Sequence, residues 1–284
     1  MDSLPLRTGF EGPPTTMKGR TEASATQAAV TFLQARHSTP FFLWVSYFSS
    51  TSGIEPESKF SALYETKDDA RIAPPGHPKS AHPFQWKKYY SWLSSIDEGV
   101  GRIIAAVEKS GLMSDTVICF CGDNGLLAGA HGKQGKTWPW EASIRVPLIF
   151  AGAGVKQGFV SDQPVSTIDL PETWLDFARV KSFRELPGRS IKATVESGKV
   201  VIDDSYSCWC EPNSGLSPPY RLIRTRTHKL IQWQSGETQL FEWLTDPAEQ
   251  KDLARDPESK KVLGQLKRKL ANHMAAEKDP MLRS

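Results

Sequence analysis

An aspartate and an asparagine stand side by side in Gly122-Asp123-Asn124-Gly125, directly after the apolar run Val117-Ile118-Cys119-Phe120-Cys121. The run reads as a β-strand, so the pair falls where a strand ends. Open α/β sheets assemble their sites at that edge. Carboxylate and carboxamide oxygens suit a hard divalent cation such as Ca²⁺ or Mg²⁺. Thirteen residues after Asp123 comes Lys136, a cation able to hold an anionic substrate against such a metal. His131 lies in the same loop. It could touch a substrate, move protons near neutral pH, or only brace the loop. Taken alone, Asp-Asn-Gly is also what a plain strand-to-loop turn uses, because Asp and Asn tolerate turns and Gly supplies positive φ.

A chain of 284 residues can bury one sizeable core, or one domain with a smaller appendage. Hydrophobic content of 39% and charged content of 24% are ordinary for a soluble globular protein. A net charge of +3 gives no reason to propose nucleic acid or a membrane surface as partner. The first 30 residues hold no apolar core of signal-peptide length, and no stretch reaches the ~18 apolar residues of a membrane span. No address is legible, and a cytoplasmic location is compatible with that. The four cysteines form two C-x-C pairs, Cys119/Cys121 and Cys208/Cys210. Zinc sites favour C-x₂-C with further matched ligands. Positions i and i+2 of a strand share a face, so Cys119 and Cys121 read as buried small apolar residues.

The elements that must position these residues follow from periodicity. Residues 1–24 are rich in Gly, Pro, Thr and Ser and read as a poorly ordered lead-in. Ala28, Ala29, Phe32 and Leu33 recur at helical spacing over 25–37. Phe41 to Phe48 is a dense apolar run, expected to be a fully buried strand. The Pro-rich stretch 49–85 reads as a loop. Over 87–110 the face Tyr89, Leu93, Ile96, Val100, Ile103 and Val107 predicts a helix closed by Gly111. Strands are expected at 116–121 and 146–151, and a helix after Asp169 with Pro171 in its first turn. From about 195 the pattern alternates over 200–202, 220–226, 229–234 and 239–243, which predicts a small antiparallel sheet. A final amphipathic helix covers about 258–275.

Read together, the motifs resemble those of the sulfatase family, of the alkaline-phosphatase-like fold. Ile96-Asp97 with Val100-Gly101-Arg102 resembles its Y-x-x-x-I-x-x-I/L-D-x-x-V-G-R helix, and Val117 to Gly125 its strand followed by S-D-N/H-G, with Gly122 in place of the Ser. Gly129-Ala130-His131-Gly132, Gly135-Lys136, Glu141 and Ile144-Arg145-Val146-Pro147 resemble G-E-H-G…G-K-x-x-x-Y/W-E-x-x-I-R-V-P. Downstream, Asp169-Leu170-Pro171-Glu172-Thr173, Leu186-Pro187-Gly188-Arg189-Ser190, Arg221-Ile223-Arg224-Thr225 with Lys229, and Leu240-Phe241 with Asp246-Pro247 and Asp252-Leu253-Ala254 continue the match.

The resemblance implies an α/β fold. Its first part is an incomplete alkaline-phosphatase-like sheet with flanking helices over 25–195. Its second is a C-terminal α+β subdomain over 196–284, a small antiparallel sheet with a helix. It implies sulfate-ester hydrolysis, with Asp123 and Asn124 as two calcium ligands and Lys136 on the sulfate. Arg145 is expected to anchor the loop to a carboxylate such as Glu141. Trp138, Trp140, Trp209 and the 205–219 loop are weaker candidates for facing a substrate.

Two departures stand out. The family's formylglycine nucleophile arises in C/S-x-P/A-x-R, and no cysteine here sits in that motif; Ser38-Thr39-Pro40-Phe41-Phe42 lacks its arginine. The tandem aspartates that complete the metal site are also missing, so the resemblance implies a chain that begins inside the family's domain, its partner being a missing N-terminal half. Thr51 stands where the family has a leaving-group histidine, and His77 and His82 do not match that position. Threonine is no acid near neutral pH. A catalytically inactive sulfatase-like binding protein is therefore the alternative, and a phosphodiester or phosphonate hydrolase of the same superfamily the second.

Overall fold

The computed structural model describes residues 21–47, 55–74, 77, 84–182, 184–210, 216–279 and 281. They group into two compact units, Met1–Thr116 and Val117–Ser284. The expected lead-in lies, up to residue 20, outside the described residues.

The first unit is helical. Helix α1 spans Glu22–Gln34 and begins with a capping box: Thr21 accepts from the Ser24 amide, and Ser24 accepts in return from the Thr21 amide. This reciprocal bonding satisfies two N–H groups that a helix start leaves without partners. Thr21→Ala is expected to lower stability by ~1 kcal/mol, seen as a lower urea midpoint at unchanged slope. Short helices α2 (Ser58–Ser61) and α3 (Asp69–Ile72) precede the long helix α4, Trp86–Lys109. Gly111 ends α4 at φ 70°, with the Leu112 amide bonded to Val107 O and the Gly111 amide to Glu108 O, both at 3.0 Å. That is the left-handed C-terminal cap its sequence predicts.

The buried face of α4 is shifted from the predicted one. Trp92, Ser95, Gly99 and Ala106 are buried with Val107 of the predicted face, whereas Leu93 is 38% exposed. Helix α1 packs on α4, burying Thr26, Ala29 and Leu33. Small side chains let two helix backbones approach closely, so contact goes to the Ser-Gly-Ala stripe rather than to the bulkier neighbouring one.

The expected buried strand at 41–48 is also corrected. Residues 41–47 form no strand among the described residues, and Phe42 and Trp44 are 48% and 66% exposed. Apolar content makes a strand only when a second strand takes up its backbone groups. Tyr47 is the anchored end: its hydroxyl lies 3.0 Å from Thr26 Oγ1.

The second unit carries both sheets. Strands β1 (Val117–Cys121) and β2 (Leu148–Gly152) pair antiparallel, with Val117 opposite Gly152 and Cys121 opposite Leu148. Between them lie the long loop 122–140 and the single-turn helix α5, Glu141–Ile144. Leu148 and Phe150 pack on Ile191, Val195 and Ile202, and helices α6 (Leu170–Phe177) and α7 (Lys192–Ser197) flank them. Buried Asp169 holds this region together, accepting from the amides of Ser166 and Arg189, each at 2.9 Å.

A four-stranded antiparallel sheet follows in the order β3-β4-β5-β6: Asp204–Trp209, Tyr220–Thr225, Lys229–Trp233 and Thr238–Phe241. The predicted strand at 200–202 is not formed. Buried Gln163 accepts from the amides of Val201 (2.7 Å) and Ile202 (2.9 Å), supplying from a side chain the bonds a neighbouring strand would give. Strand β3, Asp204–Trp209, forms instead and runs into the 205–219 stretch expected to be a loop.

Both faces of this sheet are covered. Ile223, Leu230 and Leu240 pack on Leu266, Leu270 and Met274 of helix α8, Lys260–Ala276. On the opposite face Leu222, Ile231 and Phe241 pack on Leu127, Ala130 and Trp140. The period-two alternation of strands puts Leu222 and Ile223, or Leu230 and Ile231, on opposite sides. The loop that follows β1 thus shares one core with the C-terminal sheet. Among the described residues no helix is long and apolar enough to cross a membrane.

Candidate active site

The loop after β1 is stitched to the segment that enters β2. The Gly122 amide donates to Pro147 O at 3.2 Å and the Gly125 amide to Ser143 O at 2.8 Å. Gly125 is required by proximity: a Cβ there would lie 2.3 Å from Ala142 O. Asn124 is oriented from both ends. Its amide donates to Asp123 Oδ1 at 2.8 Å, and its Nδ2 donates to Gly125 O at 2.8 Å. That leaves Asn124 Oδ1 to accept from Lys136 Nζ at 3.1 Å. The structure thus brings Asp123, Asn124 and Lys136 together. They line an open groove of about 1290 Å³, with Arg145, Trp209 and Arg224 on its walls.

His131 sits in a turn at φ 53°, its ring flat on Trp140 with centroids 4.3 Å apart and planes 8° from parallel. Trp138 stacks on Trp140 in turn, at 5.4 Å. Stacked rings of this kind fix a loop by burying aromatic area. Trp140 is buried in the core; Trp138 and Trp209 pack against it half-buried. His77 of the first unit meets Trp86 edge-on, with ring centroids 5.1 Å apart. Thr51 and His82 lie outside the described residues.

Beneath the loop is a charge cluster that the sequence reading missed. Lys229 is fully buried, donates to Pro139 O at 2.8 Å and to Glu141 Oε1 at 3.3 Å, and pairs with buried Glu249. Arg224 grips Glu141 with two prongs, Nε to Oε1 at 3.1 Å and Nη2 to Oε2 at 3.2 Å. The Glu141 amide donates to Glu249 Oε2 at 2.7 Å. Burial pushes the Glu141 carboxyl up, but Lys229 and Arg224 outweigh it, so Glu141 lies below its ordinary value. Burial wins at Glu249, which is raised despite Lys229.

Arg145 does not hold Glu141; it lies over the Trp243 ring, 5.8 Å from the centroid, with Arg224 closer at 3.9 Å. A signal was present. Arg224 and Lys229 sit on the strand face of Leu222 and Ile231, which an alternating pattern marks as inward. An inward charge needs an inward partner.

Carboxylate and carboxamide oxygens match the donor chemistry of a calcium ion. Two of them fall short of the roughly six to eight that such an ion takes. Among the described residues no group of three or more His, Cys, Asp or Glu side chains is placed to hold a metal.

This mixed α/β architecture, with antiparallel sheets and a C-terminal helix, is that of a partial alkaline-phosphatase-like fold. A protein solved in complex with its substrate D-glucosamine-2-N,6-O-disulfate superposes with a TM-score of 0.77 at 19% identity, over 94% of this chain and 72% of its own. The Sulfatase family model matches residues 3–180, and a model of the C-terminal part of N-sulphoglucosamine sulphohydrolase matches 129–276. The chain belongs to the sulfatase family. An ulvan-active sulfatase of Formosa agariphila is 25% identical over 254 residues, 85% of this chain and 49% of its own length. An arylsulfatase of Clostridium perfringens is 25% identical over 276 residues, 88% of this chain and 57% of its own. The chain spans about half the length of these relatives.

Proposed function

We propose that this chain is part of a sulfate-ester hydrolase. In this reading Asp123 and Asn124 contribute two oxygen ligands to a calcium ion, and Lys136 holds the sulfate. Bound calcium would supply Lewis-acid polarisation of the sulfate oxygens. The observation that carries the reading is the 3.1 Å bond from Lys136 Nζ to Asn124 Oδ1, beside the Asp123 carboxylate. An ammonium on the would-be metal ligand marks a place that attracts cations. With a cation on Asn124 Oδ1, the three donors of Lys136 would be available to an anion next to it.

The loop is braced for that exchange. Pro139 and Glu141, three and five residues past Lys136, are held by Lys229 and Arg224, so Lys136 swings from a fixed root. A positioned cation of this kind stabilises developing negative charge by a few kcal/mol. The nucleophile and the remaining ligands belong, in this reading, to sequence outside this chain.

Calcium binding tests it. Calorimetry on the folded chain is expected to show binding that Asp123→Ala abolishes, because the site loses its charged ligand. A folded chain that takes up no calcium would mean that the ligands outside this chain are needed to complete the site, whereas an Asp123→Ala variant that binds as the parent does would overturn the metal assignment and favour the inactive alternative. With a nucleophile-bearing segment supplied, sulfate-ester turnover in excess of phosphodiester turnover supports the substrate class, and the reverse order sinks it.

A further inference from the structure

Cys208 and Cys210 bracket Trp209 at the end of β3, an edge strand of the four-stranded sheet. Both are free and exposed, with sulfurs 3.7 Å apart. Strand alternation explains the meeting: residues i and i+2 share a face, while Trp209 between them turns inward to the core. Two strand positions span ~6.6 Å between Cα atoms, inside the ~4.4–6.8 Å that a disulfide bridges. The cross-strand neighbour of Cys208 is Arg221, whose buried guanidinium donates to Trp209 O at 3.2 Å. Burial and the neighbouring Cys210 sulfur push the Cys208 thiol up, and Arg221, itself paired with Asp279, offsets only part of that.

We propose that Cys208 and Cys210 form a redox-active dithiol that closes to an intramolecular disulfide by exchange with a low-molecular-weight disulfide such as glutathione disulfide. One cysteine, as thiolate, attacks a glutathione sulfur. The glutathione S–S bond breaks, and the leaving thiolate takes a proton. The second cysteine, deprotonated, attacks the protein sulfur of the mixed disulfide and expels the second glutathione, which is protonated in turn. Two protein thiols are oxidised by two electrons, and one glutathione disulfide is reduced to two thiols. Closure draws the sulfurs to ~2.05 Å on either side of Trp209, which lines the groove of Asp123 and Lys136.

The other pair is an internal control. Cys119 and Cys121 lie half-buried within paired β1, and burial pushes the Cys119 thiol up to about 12. What separates the pairs is access, since shielded thiols exchange slowly.

The full chain is incubated with excess glutathione disulfide, alkylated, digested and weighed. The peptide holding Cys208 and Cys210 is expected to lose the mass of two hydrogens and to escape alkylation. Cys119 and Cys121 should still be alkylated, and dithiothreitol should restore all four thiols. Cys208→Ser and Cys210→Ser, each at an exposed position, should each stop at a stable glutathione adduct on the surviving cysteine. Three results would overturn the proposal: full alkylation of both thiols in the oxidised parent, a persistent glutathione adduct on the parent, or a dimer bridged between chains.

Discussion

Lys229→Met is expected to destabilise the chain by ~3–5 kcal/mol, the cost of leaving buried carboxylates without their cation. Lys229 is fully buried and touches three groups: Pro139 O, Glu141 and Glu249. Methionine fills the volume of the stem but supplies no donor. Glu141 keeps Arg224, so the larger burden falls on Glu249, whose side chain is fully buried and whose carboxyl is already raised by burial.

The sign of the pH dependence follows. A carboxyl raised in the folded state takes up its proton more readily there than in the unfolded chain. The deficit of the variant should therefore shrink as pH falls through the raised value of Glu249. Urea unfolding at several pH values checks this. Glu249→Gln placed on Lys229→Met should recover part of the loss, because the two sites are coupled through one contact. A single-variant loss below ~1 kcal/mol would mean that the cluster is worth no more than a surface pair. The consequence for the groove is direct, since the same lysine holds the root of the segment that carries Lys136.

Gly125→Ala should have the second-largest effect, and it acts on the site itself. The added Cβ would lie 2.3 Å from Ala142 O, 3.0 Å from its carbonyl carbon and 3.2 Å from the Ser143 carbonyl carbon. All three are backbone atoms, so no side chain can rotate away. The loop must part from the 142–143 segment, breaking the 2.8 Å bond from the Gly125 amide to Ser143 O. We expect a loss at the upper end of the ~1–3 kcal/mol typical of overpacking. Asn124 moves with its neighbour, away from Lys136. Calcium binding should therefore vanish in Gly125→Ala while the far-ultraviolet signature of the C-terminal sheet and α8 survives. Undiminished stability or calcium affinity would show that the loop is not held by this close approach.

Locally encoded features were legible in the residues. The α4 stop at Gly111, the three strands β4 to β6 and the final helix depend on caps, turns and periodicity carried by adjacent residues. The same holds for Asp123-Asn124 at the end of β1, and for Lys136, whose place in the sulfatase pattern pointed to the pair it now meets. What a strand or helix packs against is not local, and there the reading erred. Phe41 to Tyr47 has strand composition but no strand beside it among the described residues. Val200 to Ile202 alternates like a strand, yet Gln163, nearly forty positions earlier, takes its amides.

The partner of Glu141 was misjudged for the same reason. Arg145 is near it in sequence, but Arg224 and Lys229 reach it across the fold from more than eighty residues away. Sequence by itself determined the family and the helices and strands with strong local punctuation, and it supplied the oxygens and the ammonium from which the proposed site is read. The tertiary structure alone decided which buried charges brace that site and which face of α4 is covered. Burial and pairing are settled by what the folded chain brings alongside, and a desolvated charge is stable only where that neighbour is its counterion.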